Sequence, residues 1–550
     1  MTVNEIKDEI SIVICGEAGQ GIQTVETLLI EALKSAGFYI FCTKEYMSRV
    51  RGGANSIQIR VSEKPVSAYI KRTDILIPLI KEAVDHLGER ISKETFIIQE
   101  DFTEEAKKIG DVVYSNVIAA STLAALFGIN RETFYNLIEK KFSKKGEEVV
   151  QKNKEAADKG FEIGKKLSLE IEIKIEPKAD KNDTLINGAQ AVAMGTLAGG
   201  CNFIAAYPMT PSTGVFTYLA SQEHEFGIVV EQAEDEISAM NMNLGAWYAG
   251  ARGLVSTAGG GFDLMTEGLS LAGITETPIV IHLGQRPGPA TGLPTRTEQG
   301  DLNIALYAGH GEFPRIILTP GNLEDAFYLT QKAFNLADKY QVPVFVLTDQ
   351  FLVDSYYNIK PFDLSNVQNQ HFIKETGVDY KRYQMTENGI SPRGIPQFGE
   401  GLVCVDSDEH DESGHITESQ AVRTSMNNKR LSKIDMIKSE IFPPELIGSY
   451  DYKTLLIGWG STYLIIKEAI EKLGRNDLGF LYFKQVYPLH DSIVDYIKKA
   501  EKTIIIENNA TAQFGKLIAK ETGIVIKDAI LKYDGLPFSV EEIMQRVSNG

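Results

Sequence analysis

The chain has 550 residues, 43% hydrophobic and 24% charged, enough for about three domains with cores of their own. Its formal net charge of -18 excludes partners held by basic charge, so neither nucleic acid nor an anionic membrane is expected. No apolar run is long enough to span a bilayer and Met1-Thr2-Val3-Asn4-Glu5 lacks an export pattern, so a cytoplasmic protein is expected.

Ile10 to Cys15 reads as a short buried strand. Gly16-Glu17-Ala18-Gly19-Gln20-Gly21 turns from it into a helix whose apolar positions Val25, Leu28, Leu29, Ala32, Leu33 and Ala36 share one face until Gly37 stops it. Strand, glycine loop and helix start together suggest a phosphate cradle, because the first amides of a helix attract anions. The order is G-x-x-G-x-G, the reverse of the dinucleotide fingerprint, which favours a structural tight turn over a nicotinamide site. After the next strand, Ser48-Arg49-Val50-Arg51-Gly52-Gly53-Ala54-Asn55 places two arginines that suit phosphates and equally suit ion pairs with Glu17 and Glu45.

Lys144-Lys145-Gly146-Glu147-Glu148 opens a further helix, and Glu170 to Pro177 alternates like an edge strand or an extended tether. Lys178 to Asp183 is polar and without apolar period, so a linker is expected over residues 176–183, between a first domain at 1–175 and a second at 184–355.

In the second domain, three pieces read as one wall of a site. Ala205-Ala206-Tyr207-Pro208-Met209-Thr210-Pro211-Ser212-Thr213 has two prolines that forbid a helix and leave the Thr210, Ser212 and Thr213 hydroxyls free to donate. Ile228 to Val230 runs as a strand into four acids, Glu231, Glu234, Asp235 and Glu236, at the head of a helix where the dipole favours them. Ala233, Ile237, Met240, Leu244 and Trp247 recur at helical spacing, which predicts one buried face. Leu254-Val255-Ser256-Thr257-Ala258 leads into Gly259-Gly260-Gly261, a strand end where backbone must come close to another group. Pro278 to Leu283 is followed by Gly284-Gln285-Arg286-Pro287-Gly288-Pro289 and by Leu293-Pro294-Thr295-Arg296-Thr297-Glu298-Gln299-Gly300-Asp301. The apolar runs Ile279 to Leu283, Ile316 to Leu318 and Val344 to Leu347 predict a parallel sheet covered on both faces. Acids, hydroxyls, glycines and arginines at its strand ends mark the place where such sheets bind ligands. Asp349 and Asp354, past the last of these strands, read as solvated loop or helix-capping acids.

Residues 356–445 are the least regular. Ile390 to Pro396 is a proline-punctuated loop, and Asp406 to His415 packs acids around two histidines without zinc-like spacing, so a solvated loop is expected there and no metal. The last domain, 446–550, repeats strand then helix through Leu455 to Gly458, Phe480 to Phe483 and Thr503 to Glu507. Glu507-Asn508-Asn509 with Gln513 stands at a strand end, placed either to reach a neighbouring site or, the favoured role, for the asparagines to cap a helix. Cys15, Cys42, Cys201 and Cys404 stand alone, so neither an iron-sulfur cluster nor a disulfide framework is expected in this chain.

The Tyr-Pro-Met-Thr-Pro turn, the acid-headed helix, the strand into a triple glycine, and the Arg-Pro-Gly-Pro and Thr-Arg-Thr-Glu-Gln-Gly-Asp runs resemble the α chain of 2-oxoacid:ferredoxin oxidoreductases, especially the 2-oxoglutarate type. The N-terminal part resembles that family's γ domain fused ahead of α, so the resemblance covers nearly the whole chain. It implies an α/β fold of three α/β domains: a γ domain, a doubly wound parallel sheet of the thiamin diphosphate pyrimidine type, and a transketolase C-terminal-like domain.

The resemblance also implies an activity: thiamin-dependent oxidative decarboxylation of 2-oxoglutarate with coenzyme A to succinyl-CoA, carbon dioxide and reduced ferredoxin. Any of the four acids could serve on composition alone; aligned with the family's motif by its spacing to the triple glycine, Glu236 is implied as the carboxylate beside the cofactor's aminopyrimidine, where it promotes loss of the thiazolium proton. Glu231, Glu234 and Asp235 remain acids of the helix start. Tyr207, Pro208, Gly259 and Gly260 are implied to line the thiamin diphosphate. Thr210 and Arg286 are implied to hold the substrate carboxylate, for which a hydroxyl and a guanidinium are sound partners. Thr295 and Arg296 are placed for its far end, which favours a dicarboxylate over pyruvate. The resemblance places coenzyme A partly against the γ domain, which makes Gly19, Gly21, Arg49 and Arg51 its candidate contacts, with ion pairs to Glu17 and Glu45 left open for the two arginines.

No Gly-Asp-Gly occurs in the chain, and the family needs that motif for magnesium and the diphosphate. A β subunit carrying Mg2+, the diphosphate and a [4Fe-4S] cluster is therefore implied, in an αβ or (αβ)2 assembly with the active site at the interface and ferredoxin as acceptor. Pyruvate, a branched 2-oxoacid or several 2-oxoacids are alternative substrates, and a non-catalytic nucleotide-binding scaffold is the alternative of another class.

Overall fold

Apolar runs in the first third of the chain pair, with Thr184–Asn187 and Tyr356–Ile359, into a seven-stranded mixed sheet, as the computed structural model shows; it describes residues 4–17, 22–48 and 53–549. Its strand order is Phe96–Ile97, Ile75–Pro78, Glu9–Glu17, Ala54–Ser62, Tyr39–Glu45, Tyr356–Ile359 and Thr184–Asn187. Glu9–Glu17 runs parallel to Ile75–Pro78 and antiparallel to Ala54–Ser62. This sheet belongs to the first of two compact units, which takes in the chain up to Ile186 with Asp354–Pro361 and Ser539–Glu541. Helix Ser115–Leu126 is buried almost all round. Helix Glu147–Leu167 meets it through glycine: a Cβ on Gly160 would lie 2.0 Å from Ser121 Oγ, so any side chain there would force the two helices apart. Ile171–Lys174 pairs in parallel with Asn4–Lys7, an edge strand where the sequence left strand and tether open.

The second unit holds Asn187–Val353, Phe362–Phe538 and Glu542–Gly550. Its larger sheet has the order Val229–Gln232, Phe203–Ala206, Gly253–Ala258, Ile279–Gln285, Pro343–Asp349, Ile316–Leu318 and Gln485–Tyr487. All neighbours are parallel except the last strand, which joins antiparallel. Ile279–Gln285 and Pro343–Asp349 are buried along their whole length, because helices cover both faces of the sheet. The order reverses beside Phe203–Ala206, so the ends of that strand and of Gly253–Ala258 flank a topological switch point, where an open α/β sheet presents its crevice.

A second sheet in the same unit runs Glu445–Gly448, Leu478–Phe483, Thr454–Trp459, Lys502–Glu507 and Asp528–Leu531, parallel except at the Glu445–Gly448 edge. Between the two sheets in sequence, residues 362–419 carry only isolated bridges and are held by buried charge. Asp338 receives Arg393 at 2.7 Å and Arg252 at 3.2 Å. Helix Gln420–Lys438 sends Lys429 and Lys433 to Glu276 at 2.6 and 2.5 Å.

Among the described residues no helix is long and apolar enough to cross a membrane, and no group of three or more His, Cys, Asp or Glu is arranged to hold a metal ion. The acid- and histidine-rich run is engaged within the fold. His410 is fully buried, not solvated as expected, with its ring 3.9 Å from that of Tyr383, while Glu409 receives Arg423 and Arg430 at 2.7 and 2.8 Å.

Candidate active site

The wall forms because parallel strands end side by side. After Ala206 the Tyr207–Ser212 turn folds back onto the next-but-one strand: a Cβ on Gly284 would lie 3.2 Å from Pro211 Cγ. Arg286, two residues on, reaches across and donates from Nη1 to the Thr210 carbonyl at 2.7 Å. Two residues assigned to one carboxylate, 76 apart in sequence, are thus joined directly. The Ser212 hydroxyl is not free as expected, since it donates to the Met209 carbonyl at 2.6 Å.

Of the four acids, one is buried. Helix Glu236–Tyr248 begins with Asp235 as its cap, whose carboxylate accepts from Ser238 N at 2.8 Å, and Glu234 accepts from the Ser238 hydroxyl at 2.6 Å. Glu231 lies on the strand Val229–Gln232 rather than on the helix. Glu236 is 4% exposed and faces the triple glycine. A Cβ on Gly261 would meet Thr257 Oγ1 at 2.3 Å and Glu236 Oε1 at 2.9 Å, so only glycine allows that approach. The helix phase differs from the expected one. Glu236, Ala239, Met240, Asn243, Leu244 and Trp247 are buried, whereas Ile237 is 49% exposed.

Gly259 is covered by an acid that sequence reasoning left without a role. A Cβ there would lie 2.5 Å from Asp301 Oδ1. The Asp301 amide donates to Gln285 Oε1 at 3.1 Å, and its carboxylate accepts the Arg286 amide. Burial, with Asp263 and Glu298 nearby, pushes the Asp301 carboxyl up to about 7 against the pull of Arg286. Its Oδ2 is buried without a hydrogen-bond partner. Gly260 is more open, its nearest outside atom being the Ala290 carbonyl oxygen at 3.5 Å from a built Cβ.

Thr295 and Arg296 lie farther round the same loop. Arg296 N donates to the Leu293 carbonyl at 3.1 Å, and a Cβ on Gly535 would sit 3.2 Å from Arg296 Cβ. Tyr207 is 39% exposed at the wall's edge and Pro208 is half-buried. Gly19, Gly21, Arg49 and Arg51 lie outside the described residues.

Of the two roles open to Asp349, it takes helix capping: it is 1% exposed, accepts from Leu352 N at 2.9 Å and takes the Ser461 hydroxyl, while burial pushes it up to about 6. One further expectation is corrected. Asn508 and Asn509 do not cap helix Gln513–Thr522. That role falls to Glu507, whose carboxylate accepts from Phe514 N and Gly515 N at 3.0 and 2.9 Å. The adjacency of Glu507 to Asn508-Asn509 was visible in sequence; which of the three, all buried in the fold, caps the helix was not.

The chain is similar to known proteins over nearly its whole length. Residues 194–429 match the family described as "Pyruvate flavodoxin/ferredoxin oxidoreductase, thiamine diP-bdg", and residues 11–163 the family "Pyruvate ferredoxin/flavodoxin oxidoreductase". The 2-oxoacid:ferredoxin oxidoreductase subunit alpha of a Sulfolobus species is 31% identical over 97% of this chain and 96% of its own length. The 2-oxoglutarate synthase subunit KorA of Archaeoglobus fulgidus is 31% identical over 59% of this chain and 88% of its own. The solved 2-oxoglutarate:ferredoxin oxidoreductase from Magnetococcus marinus, with 2-oxoglutarate, coenzyme A and succinyl-CoA bound, superposes with a TM-score of 0.91 at 30% identity, over 99% of this chain and 100% of that one. With the switch-point wall and near full-length likeness in both sequence and fold, the chain belongs to the 2-oxoacid:ferredoxin oxidoreductases, as an α subunit.

Proposed function

We propose that this α subunit, together with a β subunit, carries out coenzyme A-dependent oxidative decarboxylation of 2-oxoglutarate, with Glu236 as its catalytic carboxylate. The observation that carries the reading is the buried Glu236 carboxylate held against Gly261, at the strand end beside the Thr210–Arg286 pair.

Thiamin diphosphate fits this wall. Gly260 leaves open space that a side chain would fill, the buried Glu236 carboxylate lies against Gly261 on one side, and the orphaned Asp301 Oδ2 lies against Gly259 on the other. When bound, the cofactor supplies the nucleophilic carbon and the electron sink that decarboxylation of a 2-oxoacid requires. Glu236, shielded from water, holds a hydrogen bond and a proton at the aminopyrimidine edge. Tyr207 and Pro208 would border the cofactor, Gly260 would let it approach the backbone, and Gly259 would meet it through the Asp301 carboxylate that covers it. Arg286 and Thr210 bind the carboxylate next to the keto carbon, Arg286 through its charged fork and Thr210 through its hydroxyl. Thr295 and Arg296 are the proposed contacts of the distal carboxylate, and names such as 2-oxoglutarate synthase among the relatives favour that substrate.

The missing Gly-Asp-Gly and the four solitary cysteines support a β subunit as holder of Mg2+, the diphosphate and the [4Fe-4S] cluster, with ferredoxin as acceptor. Large apolar side chains beside the wall also stay exposed, Tyr207, Ile237 and Leu264 among them, as a surface awaiting a partner does. The test is anaerobic, coenzyme A-dependent viologen reduction by the αβ complex. Reduction with 2-oxoglutarate, lost in Glu236→Gln while the complex still assembles, is the expected result. Normal turnover by that variant would overturn the catalytic assignment, and equal activity on pyruvate the substrate assignment.

A further inference from the structure

The C-terminal sheet reverses its strand order between Thr454–Trp459 and Lys502–Glu507, which makes the crevice beyond Trp459 and Glu507 the place where an open α/β sheet would take a ligand. In this protein the occupant is its own Gln299, which is fully buried. Its Nε2 donates to the Trp459 carbonyl at 2.8 Å and its Oε1 accepts from Asn508 N at 2.9 Å. Its backbone is held as well, with N donating to the Asn508 carbonyl at 2.7 Å and O accepting from Asn509 Nδ2 at 3.1 Å. The buried Glu507 aims Asn509 by accepting its amide at 2.7 Å.

Gln513 adds a second clasp on the far side of Asp301. It donates to the Gly300 carbonyl at 2.8 Å and accepts from Asn303 N at 2.9 Å. Thr297 N donates to the Gly535 carbonyl at 3.1 Å. The loop so held, residues 286–301, closes on itself, with Asp301 returning to Gln285 and Arg286 and Leu293 N bonding the Pro287 carbonyl, and is tied to its own sheet through Arg286 on the Thr210 carbonyl and Thr297 Oγ1, which accepts from Phe351 N at 3.2 Å. A loop whose ends meet and whose outer arc rests on a neighbouring sheet takes its shape from that sheet.

We propose that Asn509 and Gln513 are positioning residues of the C-terminal domain, which clasp Gln299 and Gly300 and so set the place of Thr295 and Arg296 relative to Arg286. The clasp governs how tightly the substrate's far end is held. This rests on the substrate reading above, so the test has one kinetic and one structural arm.

In the αβ holoenzyme, Asn509→Ala and Gln513→Ala should each raise KM for 2-oxoglutarate about tenfold with kcat changed less than twofold, and Gln513→Glu, which keeps the acceptor for Asn303 N, should fall between them and the wild type. Hydrogen exchange should quicken at amides 295–301 and stay unchanged along Ile279–Gln285. A fall in kcat with KM unchanged, as a mere loss of folded enzyme would give, or unaltered exchange at 295–301, would overturn the proposal. A wild-type holoenzyme inactive on 2-oxoglutarate would instead sink the substrate reading, and the exchange of 295–301 would then decide the clasp alone.

Discussion

Arg286 donates to the backbone carbonyl of Thr210, so the guanidinium that would hold a substrate carboxylate also fixes the turn that presents the threonine hydroxyl. A guanidinium has donors to spare for both tasks; an ammonium has no planar fork with which to divide them. Arg286→Lys is therefore expected to raise KM for the 2-oxoacid about 10- to 100-fold, the worth of a charged hydrogen bond. Thr210→Ala should cost less, and the double variant less than the sum of the two, because the pair acts as a unit. Steady-state kinetics on the four enzymes checks this, and strict additivity would count against the coupling.

The triple glycine makes a sharper distinction. A methyl at Gly261 collides with Thr257 and Glu236, whereas one at Gly260 meets only open space and the Ala290 carbonyl oxygen. Gly261→Ala should destabilise the fold by about 1–3 kcal/mol through overpacking. Gly260→Ala should leave Tm nearly unchanged and yet weaken thiamin diphosphate binding, because the open space is where the ring is proposed to lie. Thermal unfolding and cofactor titration of the two variants separate the effects.

Much of this was legible locally and some of it was not. The apolar runs gave away the parallel strands, since burial on both faces leaves no alternation to confuse them. Glu236 was singled out through its motif and its role is a proposal, but its burial among three exposed or capping acids is observed and has a local cause: the helix starts at Glu236 itself, with Asp235 outside as cap. The expected stripe failed at Ile237 because it took its phase from Ala233, which precedes the helix. The buried phase instead includes Asn243, a polar residue that periodicity discounts and that donates to the Ala205 carbonyl at 3.0 Å. The clasp was illegible for another reason. Gln299 and Asn508 stand 209 residues apart, and nothing in the local pattern of either distinguishes a side chain that caps its own helix from one that reaches another sheet.

Asp301 gives a pH signature. Its carboxyl titrates near 4 in an unfolded chain and is pushed up to about 7 in the fold, by burial first and then by Asp263 and Glu298, against Arg286. The folded state thus binds the extra proton between those values, so the contribution to stability is full below about pH 4 and is lost as pH rises through about 7. Asp301→Asn removes that loss, and its Tm relative to wild type should climb steadily from pH 4 to pH 8. Asp349, raised to about 6, contributes with the same sign in both proteins and cancels in the difference. A difference in Tm that stays flat with pH would show that Asp301 is ionised throughout.

Glu276 faces both Lys429 and Lys433, all three with side chains no more than 2% exposed. Burial opposes its ionisation, but Lys433, Lys429 and Arg382 outweigh that and hold its carboxyl well below the usual range. Since both lysines come from helix Gln420–Lys438, the cluster fastens that helix to the unit's core. Glu276→Gln would leave two buried ammonium groups without a counter-charge, at a cost of about 3–5 kcal/mol. If charge is the cause, removing the cations along with the acid should restore most of it: Glu276→Gln combined with Lys429→Met and Lys433→Met is expected to unfold at a higher urea concentration than Glu276→Gln alone. A triple variant no more stable than the single one would mean that packing around Glu276, and not its charge, holds the helix in place.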